Sequence, residues 1–393
     1  MAEARFLRPL GAVFPRGNRL FGGSGEHGEA QMPPWPSVAA GAVRSRMLSD
    51  AGADLSAFSS GQPLESELLA AALGTPHDPG RFRVSWFSLA QRFEDRVEPV
   101  LSLPADVVVD DQSSKYLLPT VVPSGLRSSA ASQVPLLRQL RMAKPIGGLW
   151  LNGAGIAAWA EGKPLHRPDQ LVTTSELWRT EMRIGIALDP RKRSAADGAL
   201  YTTEAIVLNE QWRSIRETAE IGFLVRIDGA DGVVPGNGMV RFGGDGRGAR
   251  IDECAPRWPE PDIERVVRER RFRLVLTTPG LFAGGWRPTG AGDDGASWLG
   301  PGGISARLVC AAIPKAQVIS GWDLAKRGPK PALRAAPAGS VYWFDQLAGN
   351  ADVVGANLRK LASEGFAAID HYPDRSRTAE GFNNLLIAPW VGD

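Results

Sequence analysis

The chain is poor in the residues that most often carry chemistry. Of 393 residues, four are histidines and two are cysteines. Cys254 and Cys310 lie far apart and lack metal-ligand spacing, which argues against a zinc ribbon or finger and sets the expectation of a reduced, cytoplasmic protein. No run approaches the roughly 18 apolar residues that a membrane span needs. Glu3 stands where a signal peptide has its basic segment, and no long apolar core follows, so no secretory leader is expected. The net charge is only +2, so any polyanion binding has to come from local patches. No G-x-S-x-G elbow, no H-E-x-x-H and no G-x-x-x-x-G-K-[ST] loop is present, which removes the usual signals of a hydrolase, a zinc protease and a P-loop NTPase.

What the chain has is glycine and proline, 45 and 30 of them, spread along its length. With 43% hydrophobic and 22% charged residues, this reads as a globular body with long loops, large enough for two domains. The stretch that organises the rest runs from Val13 to Leu48. An apolar run, Phe6 to Phe14, leads into a loop rich in glycine and punctuated by Arg16, Arg19 and His27. Pro33, Pro34 and Pro36 close the loop. Ser37 is then expected to cap an Ala/Val-rich helix ending near Leu48. Strand, glycine loop and helix N-terminus together can present backbone N–H groups and a positive dipole end to an anion. A merely mobile loop is the other reading of the same residues.

Two further stretches stand out. Met182 to Leu188 and Leu200 to Leu208 read as a β-hairpin whose turn carries Arg191, Lys192 and Arg193 beside Tyr201, Thr202 and Thr203. Gly321 to Arg334 places Trp322 beside Lys326, Arg327, Lys330 and Arg334, and Pro329 and Pro331 forbid a regular helix there. Elsewhere, strands are expected at Phe82 to Leu89, Ile221 to Asp228, Arg271 to Thr277, Ala306 to Ala312, Gln317 to Ser320, Ser340 to Phe344 and Phe382 to Ile387. Helices are expected at Leu64 to Leu73, Asp262 to Arg270 and Val353 to Ala362, and a short one at Leu136 to Met142. Residues 229–261 read as a linker or long loop between residues 1–228 and 262–393. Asp110-Asp111, Asp293-Asp294 and the GGDG at Gly243 to Gly246 touch on acidic metal motifs. The last lacks the second Asp of a polymerase palm, and all three read better as turns.

This order of elements suits an α+β fold with two ferredoxin-like (RRM-like, βαββαβ) domains whose loops are expanded with Gly and Pro. The segments FPRGNRLFGGSGEHG, PPWPSVAAGAVRSRM, DGALYTTEAIVL and ISGWDLAKRGPKPALRAAPAGSVYWF resemble, in order, the RAMP superfamily. More narrowly they resemble the subunit of the type III-B CRISPR Cmr effector that caps the 5′ end of the guide RNA. The resemblance implies a non-catalytic, cofactor-free RNA-binding subunit of a hetero-oligomeric complex. It would hold the single-stranded repeat-derived tag and touch the backbone RAMP subunit and the large polymerase-like subunit. Its implied RNA-facing residues are Arg16, Arg19, Phe21, Gly22, Gly23, His27, Ser37 and Arg44 from the first stretch. Arg183, Arg191, Lys192, Arg193, Tyr201, Thr202 and Thr203 come from the second, and Trp322, Lys326, Arg327 and Lys330 from the third. A RAMP endoribonuclease is the competing expectation, with His27 as its acid or base.

Overall fold

A computed structural model describes residues 2–15, 27–76, 78–111, 113–122, 125, 133–137, 144–189, 191–192, 194–213, 217–323, 325–369 and 375–391; at 27–28, 187, 189, 195–200 and 245 it describes the backbone alone. The fold is α+β. In chain order the elements used below are β1 (Glu3–Pro9), β2 (His27–Gly28), α1 (Pro36–Asp50), α2 (Glu67–Leu73), β3 (Arg83–Arg92), β4 (Val97–Ser102), β5 (Leu149–Leu151), α3 (Gly153–Glu161), β6 (Leu171–Thr173), β7 (Trp178–Asp189) and β8 (Ser194–Leu208). Then come β9 (Thr218–Asp228), β10 (Gly238–Arg241), β11 (Gly248–Glu253), α4 (Ile263–Glu269), β12 (Phe272–Leu276), β13 (Ser297–Leu299), β14 (Ser305–Ala312), β15 (Val341–Ala348), α5 (Ala351–Glu364) and β16 (Leu385–Ala388).

Two antiparallel sheets form the body. The first has nine strands in the order β6-β5-β4-β3-β9-β1-β11-β10, with the short strand Trp212–Arg213 also pairing with β9; the second has the order β13-β14-β15-β12-β16. Both sheets are buried on both faces. Along β1, Phe6 and Leu7 turn to opposite cores, as do Leu224 and its neighbours Phe223 and Val225 on β9. Along β15, Val341 and Trp343 face one way and Tyr342 and Phe344 the other. The strand period of two therefore sorts the chain into layers. Helices α1 and α2 cover the outer face of the first sheet, the two sheets share a middle core, and α4 and α5 cover the outer face of the second. Burial on both faces also explains why β3 reads as FRVSWFSL with imperfect alternation.

Local chemistry sets the helix ends. Asn350 caps α5 by accepting from Asp352 N at 2.9 Å, and Val354, Leu358 and Leu361 form its buried stripe. Gly365 ends it at φ 62°, where a Cβ would come within 2.4 Å of the Asn383 carbonyl oxygen. Helix α1 differs from expectation. It begins at Pro36 with Trp35 as N-cap and no side-chain cap bond, so Ser37 lies inside the first turn. Proline supplies the reason: its fixed φ suits the first helical position, and its missing N–H is not needed there.

Residues 229–261, expected as a loop, contain β10 and β11. β11 pairs with β1 from Arg5↔Glu253 to Pro9↔Ala249, so the segment completes the first sheet. Arg5, only 4% exposed, pins the approach to β10 by donating to the Pro235 carbonyl at 2.6 Å. Gln133–Leu136 is a strand, whereas the helix expected at Leu136 to Met142 falls mostly outside the described residues.

Both cysteines are carried into this body. Burial pushes the Cys254 thiol up to about 11 and the Cys310 thiol up to about 12. Both stay protonated well above neutrality, so at about pH 8 iodoacetamide labels neither until denaturant is added. Mass spectrometry of the native and the unfolded protein reads this directly; a native chain labelled at the rate of a free thiol contradicts it.

Candidate nucleic-acid interface

The structure brings the first two basic stretches together. Val13 and Ile206 exchange both backbone hydrogen bonds, at 2.9 and 2.8 Å. On the far side of the glycine loop, β2 pairs in parallel with β8, His27 opposite Thr202 and Gly28 opposite Thr203. Ala30 N then donates to Glu204 Oε2 at 2.8 Å, and Gln31 N donates to the Pro15 carbonyl at 2.8 Å. The chain thus enters and leaves the loop against the same strand, between the root and the middle of the hairpin. Arg16, Arg19, Phe21, Gly22, Gly23 and Arg193 lie outside the described residues, as does the side chain of His27.

The hairpin β7–β8 is a long arm with two unlike faces. Opposite residues of an antiparallel pair share a face. On one face lie Met182, Ile184 and Ile186, 58%, 74% and 47% exposed, with Leu188 further out beyond a bulge. On the other lie Arg183, Thr203 and Tyr201, whose ring covers Gly185 so closely that a Cβ there would come within 2.4 Å of it. Arg183 pairs with Glu181 at 2.9 Å and Arg179 with Glu181 at 3.1 Å. These guanidiniums, Arg183 foremost, hold the Glu181 carboxyl below its ordinary range. Arg191 and Lys192 lie exposed in the turn. The apolar face is absent from the sequence reading. Its signal is the alternation of MRIGIAL, which marks a strand and, equally, a strand with one apolar side.

The third stretch sits beside the start of α1. Trp322–Asp323 pairs with Gly328–Pro329, and Asp323 Oδ1 closes the turn by accepting from Ala325 N at 3.0 Å and Lys326 N at 3.1 Å. Trp322 is 60% exposed, and Lys326 and Arg327 are exposed as well. Lys330 is spoken for: its ammonium pairs with Glu380, which also binds Arg377 at 3.2 Å. Arg44 lies half-buried with its guanidinium 6.0 Å above the Phe82 ring. Burial lowers its pKa, and Glu380 draws it back up. Trp35 packs with Leu281, Ile319, Ala335 and Phe382, so the start of α1 is sealed by the second half of the chain. That is not the open anion cradle the loop-to-helix pattern suggests.

The acidic pairs behave as turns. Asp294 Oδ1 accepts from Ala296 N and Ser297 N, Asp110 is bonded to Ser113 and Lys115, and Gly244–Gly246 is a 3-10 turn between β10 and β11. No metal-binding group of three occurs among the described residues. Three tryptophans between β4 and β8 belong to the core: Trp150 and Trp178 meet edge-on at 5.1 Å, and Trp159 is 1% exposed. No described helix is long and apolar enough to cross a membrane.

Comparison with known proteins decides the family. The family model described as CRISPR-associated protein (Cas_Cmr3) matches residues 5–390. The chain belongs to that family. It is therefore a CRISPR-associated protein of the Cmr type, as its segments indicate. Among solved structures, a chain of the type III-B Cmr-beta complex bound to cognate target RNA and AMPPnP is similar at 14% identity and a TM-score of 0.47, over 87% of this chain and 86% of that one. A chain of the Cmr-beta complex bound to cognate target RNA is similar at 15% identity and a TM-score of 0.46, over the same shares. A search of curated proteins returns no match.

Proposed function

We propose that this chain is the non-catalytic subunit of a type III-B Cmr ribonucleoprotein that holds the single-stranded 5′ tag of the guide RNA. The observation that carries this reading is the parallel pairing of β2 with β8, which ties the residues that follow the glycine loop to the basic hairpin. Single-stranded RNA is read with its bases splayed, stacked on aromatic or guanidinium planes, and with its phosphates held by cations. Tyr201 on the arm and Trp322 on the second turn are exposed aromatics, and Arg191 and Lys192 are exposed cations. The reading includes cytoplasmic antiviral defence and contacts to the backbone RAMP subunit and the large polymerase-like subunit. The uncovered Met182–Ile184–Ile186 face suits an assembled particle, because exposed apolar patches mark contact surfaces. Each sheet supports a ferredoxin-like reading. The orders β3-β9-β1-β11 and β14-β15-β12-β16 both follow the 2-3-1-4 order of a βαββαβ unit. The first unit keeps its first helix (α1), and the second keeps its second helix (α5).

Purifying the tagged chain from its native cells and sequencing the bound RNA tests the reading. Short RNAs with one shared 5′ sequence, together with co-purifying Cmr subunits, are expected; RNA without a common 5′ end overturns it. In the same particles, His27→Ala leaves guide maturation unchanged if the subunit is non-catalytic.

A further inference from the structure

A trough of about 1740 Å³ opens at the end of the first sheet, where β3, β4, α3, the Trp212–Arg213 strand and the segment leading to α4 meet. None of its lining residues belongs to the hairpin. Two side chains on its wall are anomalous. Gln91, at the end of β3, is 1% exposed, yet neither its amide nitrogen nor its amide oxygen has a hydrogen-bond partner. The indole N–H of Trp212, a residue 9% exposed, is unpartnered as well. Buried polar groups are almost always satisfied, and two such orphans on one wall point to a ligand that completes them.

The lining sets the chemistry of that ligand. Its described residues carry seven carboxylates and four arginines, a surplus of three negative charges. Arg96 is already engaged by Glu98 and Glu217, each at 2.8 Å, and its guanidinium sits 3.9 Å over the Phe93 ring. A phosphate chain is repelled here, whereas lysine and arginine side chains are attracted. Trp212 and Trp258 add aromatic faces that favour cations. A carboxamide without a partner at either end matches the N–H and C=O of an extended main chain, and a lone indole N–H matches a carbonyl.

We propose that this trough docks an extended basic peptide segment of a partner protein, with Gln91 pairing a main-chain amide, Trp212 donating to a main-chain carbonyl and the carboxylates receiving Lys or Arg. Fluorescence anisotropy of the full chain with a short labelled peptide of alternating Lys and Ser tests it, beside the Glu counterpart and an oligo(A) RNA of similar length. Saturable binding of the Lys peptide alone is expected. Gln91→Leu and Trp212→Phe each weaken it about tenfold, the value of one hydrogen bond removed from a closed site. The unfolding midpoint of Gln91→Leu stays level or rises, because the amide it removes has no partner in the fold. Equal binding of the Glu peptide, unchanged affinity in both variants, or a lowered midpoint for Gln91→Leu overturns the proposal. So does displacement of the Lys peptide by oligo(A), which would assign the trough to a base. Binding of the guide's 5′ tag is unaffected by Gln91→Leu, so the two readings fail separately.

Discussion

Replacing Asp106 with alanine lowers the stability of this protein by about 3–5 kcal/mol, the cost of leaving a guanidinium buried without its anion. Asp106 and Arg273 form an ion pair with both side chains 0% exposed. Asp106 lies just beyond β4 and Arg273 on β12, so the pair ties the two sheets across their shared core. Its other bonds are all made inside the protein. Trp159 Nε1 donates to Asp106 Oδ1 at 2.9 Å, Arg273 Nε donates to the Pro389 carbonyl at 3.1 Å, and a second Arg273 nitrogen donates to the Trp159 carbonyl. The guanidinium lies 4.2 Å over the Trp159 ring. Burial raises the Asp106 carboxyl above its ordinary range even as Arg273 and Trp159 pull it down. Arg307–Asp345 supplies the control. It is a bidentate pair with Arg307 39% exposed, and Asp345→Ala there costs about 1 kcal/mol or less. Combining Asp106→Leu with Arg273→Met recovers most of the loss, because a buried pair replaced as a unit by apolar groups is often neutral. Chemical denaturation with an unchanged slope reads all three variants. Equal losses at Asp106 and Asp345 would mean that the seam is wet.

This seam was not legible in the sequence, because Asp106 in LPADVVV and Arg273 in FRLVL carry no mark of each other. Their partnership depends on two sheets meeting face to face, across a separation of 167 residues along the chain. What was legible followed from local chemistry. The helix expected at Leu64 to Leu73 is found at Glu67–Leu73, with Ser66 as its cap and Gly74 at its end. The helix from Asp262 and the strands at Phe272–Leu276 and Val341–Ala348 fall close to where they are expected. The hairpin was legible because its arms alternate and its turn is polar. β10 and β11 were not, since strands interrupted by Gly, Arg and Asp look like a loop until β1 pairs with β11 and β11 with β10. The glycine loop and the hairpin were each visible as basic stretches. Their union rests on the Val13–Ile206 bridge, the Ala30–Glu204 bond and two residues of parallel pairing, which no periodicity announces.

That union makes the hairpin tip the place where charge and stacking can be separated. In the double variant Arg191→Ala with Lys192→Ala, the slope of log affinity for guide RNA against log salt becomes shallower by about 1.4. On a single strand, each phosphate that is no longer neutralised by a cation removes about 0.7 from that slope. The affinity deficit is then large in dilute salt and shrinks as salt rises, because the two cations act through counterion release. Tyr201→Ala behaves differently. Its ring packs against Gly185 on the arm, and removing one base stack costs about 1–3 kcal/mol, roughly 5- to 150-fold in affinity, at every salt concentration. Electrophoretic mobility shift titrations at several salt concentrations distinguish the two. A double variant whose slope equals the wild type places the tip away from the phosphates, whatever its affinity. If Tyr201→Ala changes the slope instead, the ring acts by positioning the cations of the arm rather than by holding a base.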